Sequence, residues 1–79
     1  MGVKILKIIN EWNPVEIYPL LEDEYCSESK RVMEARRELN SIEELAIEIF
    51  GIFKNSFGKE FTNSIEECKV IAEKILKYQ

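Results

Sequence analysis

The side chains that most often do chemistry in proteins are sparse in this sequence of 79 residues. It has no histidine, so acid–base catalysis near neutral pH would depend on carboxylates. The densest carboxylates are Glu22, Asp23 and Glu24, with Glu28 one helical turn further on. A calcium loop alternates its ligands and needs a glycine at its turn, and this stretch has neither feature. We therefore expect solvated carboxylates here, and no catalytic or metal site.

The two cysteines are the other reactive side chains, and they lie far apart, at Cys26 and Cys68. Two such ligands, with no histidine to add to them, do not predict a zinc site. Cys68 falls on an apolar helix face, where a buried cysteine acts as a small hydrophobic residue. Cys26 has acidic neighbours, which disfavour a reactive thiolate. The glycines, at positions 2, 51 and 58, form no phosphate-binding loop, so we expect no cofactor.

One group of residues has the composition of a recognition surface, because tryptophan, tyrosine and proline stand beside carboxylates. Aromatic side chains carry much of the binding energy at protein interfaces. The candidate interaction surface consists of Glu11, Trp12, Asn13, Pro14, Tyr18, Glu22, Asp23, Glu24 and Tyr25. The alternative is that Trp12 and Tyr25 belong to the core, while the acidic residues cap the helix that follows.

These residues have to be positioned by helices, because apolar side chains recur at helical spacing along most of the chain. The strongest pattern covers residues 41–57, and the rest of the chain is expected to pack against it. Its apolar face consists of Ile42, Leu45, Ala46, Ile49, Phe50, Ile52, Phe53 and Phe57. Ser41 and Ser64 each precede a glutamate three positions later, a capping box that predicts two helix starts. Gly58 suits the end of the first of these helices, and Gly51 is either tolerated in its middle or allows another backbone to approach.

Two further helices are predicted before residue 41. The first runs from about residue 3 to 12 and is ended by Pro14. The second runs from about residue 24 to 38, with Asp23 as its N-cap. Residues 13–22 contain two prolines and several apolar side chains, which favours an ordered, proline-rich loop between the two helices.

The fold class expected from these elements is all-α, a small four-helix up-down bundle in one domain over residues 1–79. Ser29 and Arg36 interrupt the apolar stripe of the second helix. We therefore expect that helix to be the least committed to the core.

The charge distribution argues against a nucleic-acid partner. Residues 1–40 have six basic and eight acidic side chains, and residues 41–79 have five and seven, within a net charge of −4. No basic tail or patch stands out, although nucleic-acid binding needs one. No apolar run approaches the roughly 20 residues of a membrane span, and no signal-peptide pattern opens the sequence. We expect a cytoplasmic protein with no membrane partner.

Four short motifs carry a family resemblance. They are Glu11-Trp12-Asn13-Pro14-Val15, Asp23-Glu24-Tyr25, Ser56-Phe57-Gly58 and Ala72-Glu73-Lys74-Ile75. On these motifs, which span nearly the whole chain, the sequence resembles the YugE-like family, small uncharacterised proteins of Gram-positive bacteria defined by a domain of unknown function. It departs from the family pattern at Asn13, where an aspartate is expected, and in the second helix beyond Tyr25. The resemblance implies an all-helical fold and brings no activity with it.

The function predicted from the sequence is a non-enzymatic protein-interaction domain with an acidic recognition surface, either immunity-like or an adaptor. Its expected partner is another protein. The alternative is a small-molecule binder or small enzyme whose site is completed by oligomerisation. That site would be lined by Glu11, Trp12, Tyr18 and Tyr25.

The oligomeric state expected from the sequence is a monomer or a weak homodimer. Ile47 and Val70 point away from the main apolar faces of their helices, so they are the residues through which two copies would meet. Single exposed apolar residues are common on protein surfaces, and they predict a weak contact at most.

Overall fold

Helices account for most of the described chain in the computed structural model, which describes residues 2–16 and 25–77. The α-helices are α1 (Gly2–Trp12), α2 (Cys26–Glu38), α3 (Ile42–Phe57) and α4 (Ile65–Lys77). A short 3₁₀ helix, Gly58–Glu60, follows α3. No strand occurs within the described ranges, and the predicted all-α class is confirmed.

Helix α3 forms the centre of the core, as its apolar periodicity predicts. Its fully buried side chains are Leu45, Ala46, Ile49 and Phe53. It packs against both α2 and α4, and α1 completes the arrangement by packing against the same two helices. Ile42, which the pattern places on the buried face, is 37% exposed, because it is the first residue of the helix.

Neighbouring helices alternate in direction, which is the predicted up-down arrangement. The start of α2 meets the end of α3, where the ring centroids of Tyr25 and Phe57 lie 5.8 Å apart. Helices α1 and α4 also run in opposite directions. Lys4 and Lys77 line one end of the groove between them, while Trp12 and Glu67 line the other end.

The predicted capping serines are confirmed. The Ser41 hydroxyl accepts a hydrogen bond from the Glu44 backbone N–H at 3.4 Å, and Ser64 accepts one from Glu67 at 3.3 Å. Each satisfies one of the backbone donors that a helix start leaves without a partner inside the helix. Gly58 ends α3 with a φ of +56°, which glycine adopts without the steric cost that other residues meet.

The start of α2 differs from the prediction. The helix begins at Cys26 and Tyr25 occupies the N-cap position, so the prediction of Asp23 as N-cap is wrong. Tyr25 makes no side-chain capping bond there, because its ring is in the core. The expectation that this helix is the least committed to the core is confirmed, because Val32 is the single buried apolar side chain within α2, whereas α3 and α4 each have four buried residues. Ser29, which interrupts the apolar stripe of this helix, is buried as well.

Candidate functional site

Tyr25, one residue of the candidate interaction surface, is completely buried (0% exposed). Its hydroxyl donates a hydrogen bond to Asn13 Oδ1 at 2.6 Å and accepts one from the Val15 backbone N–H at 3.4 Å. These bonds join the end of α1 to the start of α2. The prediction that Tyr25 lies on an exposed recognition surface is therefore wrong, and the alternative of a core tyrosine is confirmed.

Asn13 and Pro14 are buried beside it, and Asn13 has a structural role. Its backbone φ is +44°, a conformation that asparagine tolerates better than most residues. Its N–H donates to the Ile9 carbonyl at 2.9 Å, and its own carbonyl accepts from the Glu16 N–H at 3.0 Å. The neutral amide also accepts the Tyr25 hydroxyl without the cost of burying a carboxylate. Asn13 thus ends α1 and is buried in the fold.

The aromatic side chains of the described residues form one connected set, which we term the aromatic cluster. Its members are Trp12, Tyr25, Phe50, Phe53, Phe57 and Phe61. Phe53 is at its centre, with ring centroids 5.4 Å from Trp12, 5.9 Å from Tyr25 and 5.7 Å from Phe61. Such pairs add to the stability that burial of their surface already provides. Trp12 is only half-buried, so it is both a member of the cluster and accessible from outside.

The remaining predicted surface residues divide into two groups. Glu11 is exposed on α1. Tyr18, Glu22, Asp23 and Glu24 lie outside the described residues, so the acidic part of the recognition surface stays a prediction. Glu11 and Trp12 are therefore the predicted positions that the described structure brings together at an accessible site.

That site is an open groove between α1 and α4, which we term the α1–α4 groove. It has two adjoining compartments, of about 260 Å³ and about 730 Å³. The residues lining it are Lys4, Lys7, Ile8, Glu11, Trp12, Glu67, Val70, Ile71, Lys74 and Lys77. Apolar side chains concentrate near Trp12, and lysines concentrate at the opposite end.

The groove is cationic although the chain as a whole is acidic. Four lysines and two glutamates line it, whereas the net charge of the chain is −4. Within the described part of the chain, no carboxylate lies in ion-pair contact with Lys7, Lys74 or Lys77. No basic patch stands out along the sequence, but the fold joins lysines from the first and last helices in one groove. Each of these helices has two lysines three positions apart, which is a signal visible in the sequence. Counting the charges in each half of the chain did not reveal it.

The cysteines do not contribute nucleophilic chemistry to this groove. Cys68 is buried on the core side of α4, and burial raises the pKa of its thiol to about 11, with a smaller contribution from the Glu67 carboxylate. A thiol of this kind stays protonated at neutral pH and is a poor nucleophile. Cys26 is half-buried at the first position of α2. No group of three metal-ligating side chains occurs among the described residues, and no helix there is long and apolar enough to cross a membrane.

The fold and the groove define a small all-α domain with an accessible cleft, a class that serves many functions. The chain belongs to the family described as Domain of unknown function (DUF1871), which it matches over residues 4–79. Comparison with curated proteins and with solved structures finds no match. The narrower resemblance to YugE-like proteins of Gram-positive bacteria stays a prediction.

Proposed function

We propose that this domain binds another protein through the α1–α4 groove. The observation that carries the proposal is the groove itself, which combines an apolar floor with charged side chains on both of its helices. Tryptophan is among the residues most often responsible for binding energy at interfaces, and half-buried Trp12 lies on this floor. An accessible aromatic anchor surrounded by charge is the arrangement that typical protein interfaces use.

Val70 supports the same assignment. Its side chain is 55% exposed, although most large apolar side chains of the described residues are buried or half-buried. It lines the groove next to Ile71 and Trp12, so a partner that enters the groove would remove it from water. Burying a side chain of this size contributes about 1 kcal/mol or more to binding.

The finer assignment is an adaptor or an immunity-like protein in the cytoplasm. In both roles a small, acidic, non-enzymatic domain binds a larger protein. The acidic residues Glu22, Asp23 and Glu24 would then add a second, oppositely charged contact to the cationic groove. This part of the proposal rests on the sequence alone.

The test compares three forms of the chain in affinity capture from the source cell. In the groove variant, Lys7→Glu and Lys74→Glu reverse two charges inside the groove. In the matched control, Lys30→Glu and Lys59→Glu make the same change in net charge at exposed positions outside it. We expect one protein to be retained by the wild type and by the control, and to be lost by the groove variant. Equal retention by all three forms would contradict the proposal.

A small anionic molecule is the second candidate ligand, because the larger compartment has a suitable size and charge. Its volume of about 730 Å³ falls within the range of about 300–1,000 Å³ that small-molecule sites occupy. Trp12 is the single tryptophan of the chain and lies in the groove, so its fluorescence would report binding. A saturable change during a metabolite screen, absent in the groove variant, would favour this function. A flat response across the screen would count against it.

A further inference from the structure

The outer face of α3 carries a chemistry opposite to that of the groove. Ile47 is 62% exposed, and it is surrounded by the exposed carboxylates of Glu43, Glu44 and Glu48. We term these four residues the acidic α3 face. Position 51, one turn further on, is a glycine, and a side chain added there would meet open space. The face therefore consists of one apolar side chain with three carboxylates around it, and open space lies beside it.

The α1–α4 groove provides the complement to this face. Exposed Val70 lies in the compartment near Trp12, where Lys74 is the lining lysine and Glu11 and Glu67 are the lining carboxylates. Further lysines, Lys4, Lys7 and Lys77, line the adjoining compartment. Among the described residues, the large apolar side chains that are exposed lie either in the groove or on α3. A contact between the two surfaces would cover most of this exposed apolar area. It would also place the α3 carboxylates along a groove in which lysines outnumber glutamates by four to two.

The dimensions of the two surfaces also agree. The groove extends along α1 from Lys4 to Trp12, which is about 12 Å at the rise of an α-helix. The segment of α3 from Glu43 to Gly51 has the same number of residues and therefore the same length of about 12 Å. Two turns of α3 would fill the groove from end to end.

We propose that the groove binds the acidic α3 face of a second copy of this chain. The inference rests on the proposed function, because it takes the groove to be a protein-binding site and names its occupant. The contact joins two different faces. It therefore either closes into a symmetric dimer with two such contacts or continues into longer assemblies. The small area involved predicts weak association, with a dissociation constant between about 1 µM and 1 mM.

Sedimentation equilibrium of the whole chain is the direct test. The average mass should rise above the 9.3 kDa of the monomer with protein concentration. The rise should shrink as salt is added, because salt screens the attraction between exposed charges. A mass that stays at 9.3 kDa up to about 1 mM in low salt would overturn the proposal.

Charge reversal identifies the two surfaces. The groove variant and an α3 variant, Glu44→Lys with Glu48→Lys, should each weaken self-association by roughly tenfold or more. The variant that combines all four changes has the net charge of the wild type and opposite charges on the two surfaces, so its self-association should recover. The control with Lys30→Glu and Lys59→Glu should associate about as the wild type does. Circular dichroism checks that every variant is folded.

The outcomes separate this inference from the proposed function. Association that ignores the groove and α3 variants, or that does not recover in the combined variant, would overturn the second copy as occupant. Affinity capture with the same groove variant then decides the proposed function independently. A monomeric chain that still captures a lysate protein through Lys7 and Lys74 would retain the proposed function without this inference.

Discussion

The aromatic cluster and the α1–α4 groove share Trp12, yet they differ in nearly every other physical property. The cluster is built from edge-to-face and stacked rings around buried Phe53. The groove is lined by lysines, glutamates and a few partly exposed apolar side chains. The conspicuous aromatic residues of the sequence mostly hold the fold together. The lysines of α1 and α4 line the accessible groove.

The two regions are therefore expected to affect stability and binding separately, and these two properties can be measured independently. Residues of the aromatic cluster should matter mainly for the free energy of unfolding. Residues of the groove should matter mainly for partners.

Phe53→Ala should be the most damaging single change, because it removes the ring at the centre of the aromatic cluster. Truncating a buried phenylalanine costs about 3–5 kcal/mol, a large part of the stability expected for a small domain. Urea unfolding followed by circular dichroism measures the loss. Val70→Ala in the groove is the control, and it should change the free energy of unfolding by less than about 0.5 kcal/mol. Similar losses in both variants would remove the distinction between the two regions.

Tyr25→Phe keeps the ring and removes the hydroxyl that joins the two ends of the 13–25 segment. Asn13 Oδ1 would lose a buried hydrogen bond and the Val15 N–H a partly buried one, at a cost of about 1–3 kcal/mol. A double-mutant cycle with Asn13→Gly measures the coupling, since glycine accepts the positive φ of that position. Additive effects of the two changes would show that the Tyr25–Asn13 bond does not stabilise the fold.

Stability should also fall in alkaline solution through Cys68, which lies behind the groove. The folded state raises the pKa of its thiol from 9.0 to about 11, so it holds the proton more tightly than the unfolded state does. This contribution is fully present below about pH 9 and is lost as the pH rises through about 11. Over that range the wild type should lose up to about 2 kcal/mol more than Cys68→Ala. Equal slopes in the wild type and in Cys68→Ala would contradict a buried Cys68 thiol.

Gly51→Ala should stabilise the chain, which is the smallest of the expected effects on unfolding. The new methyl group would point into open space, and alanine favours a helix interior over glycine by about 1 kcal/mol. The thermal unfolding midpoint should rise accordingly. An unchanged or lower midpoint would mean that helix propensity does not decide which residue is favoured at position 51.

Much of the fold could be predicted from local sequence patterns. The periodicity of residues 41–57, the capping serines and Gly58 act over one or two helical turns, and the structure confirms them. The start of α2 was misplaced because Tyr25 is fixed by a bond to Asn13, twelve positions earlier, and no local pattern shows such a contact. Sequence reasoning identified Tyr25 and Trp12 as notable side chains but could not tell a core position from a surface one.

The candidate site was less predictable, because its residues come from opposite ends of the chain. Lys7 belongs to the first helix and Lys74 to the last, and only the antiparallel packing of α1 and α4 places them in one groove. Glu11 and Trp12 were predicted as surface residues. Their neighbours across the groove, Val70 and Lys74, had no local feature that linked them to this site.

The most direct test of the central claim is the capture of partners by three forms of the chain with matched urea midpoints. These are the wild type, the groove variant with Lys7→Glu and Lys74→Glu, and the control with Lys30→Glu and Lys59→Glu. We expect the groove variant to unfold within about 0.5 kcal/mol of the wild type and yet to lose the protein that the other two forms retain. A groove variant that retains the same protein would show that the α1–α4 groove is not the binding surface.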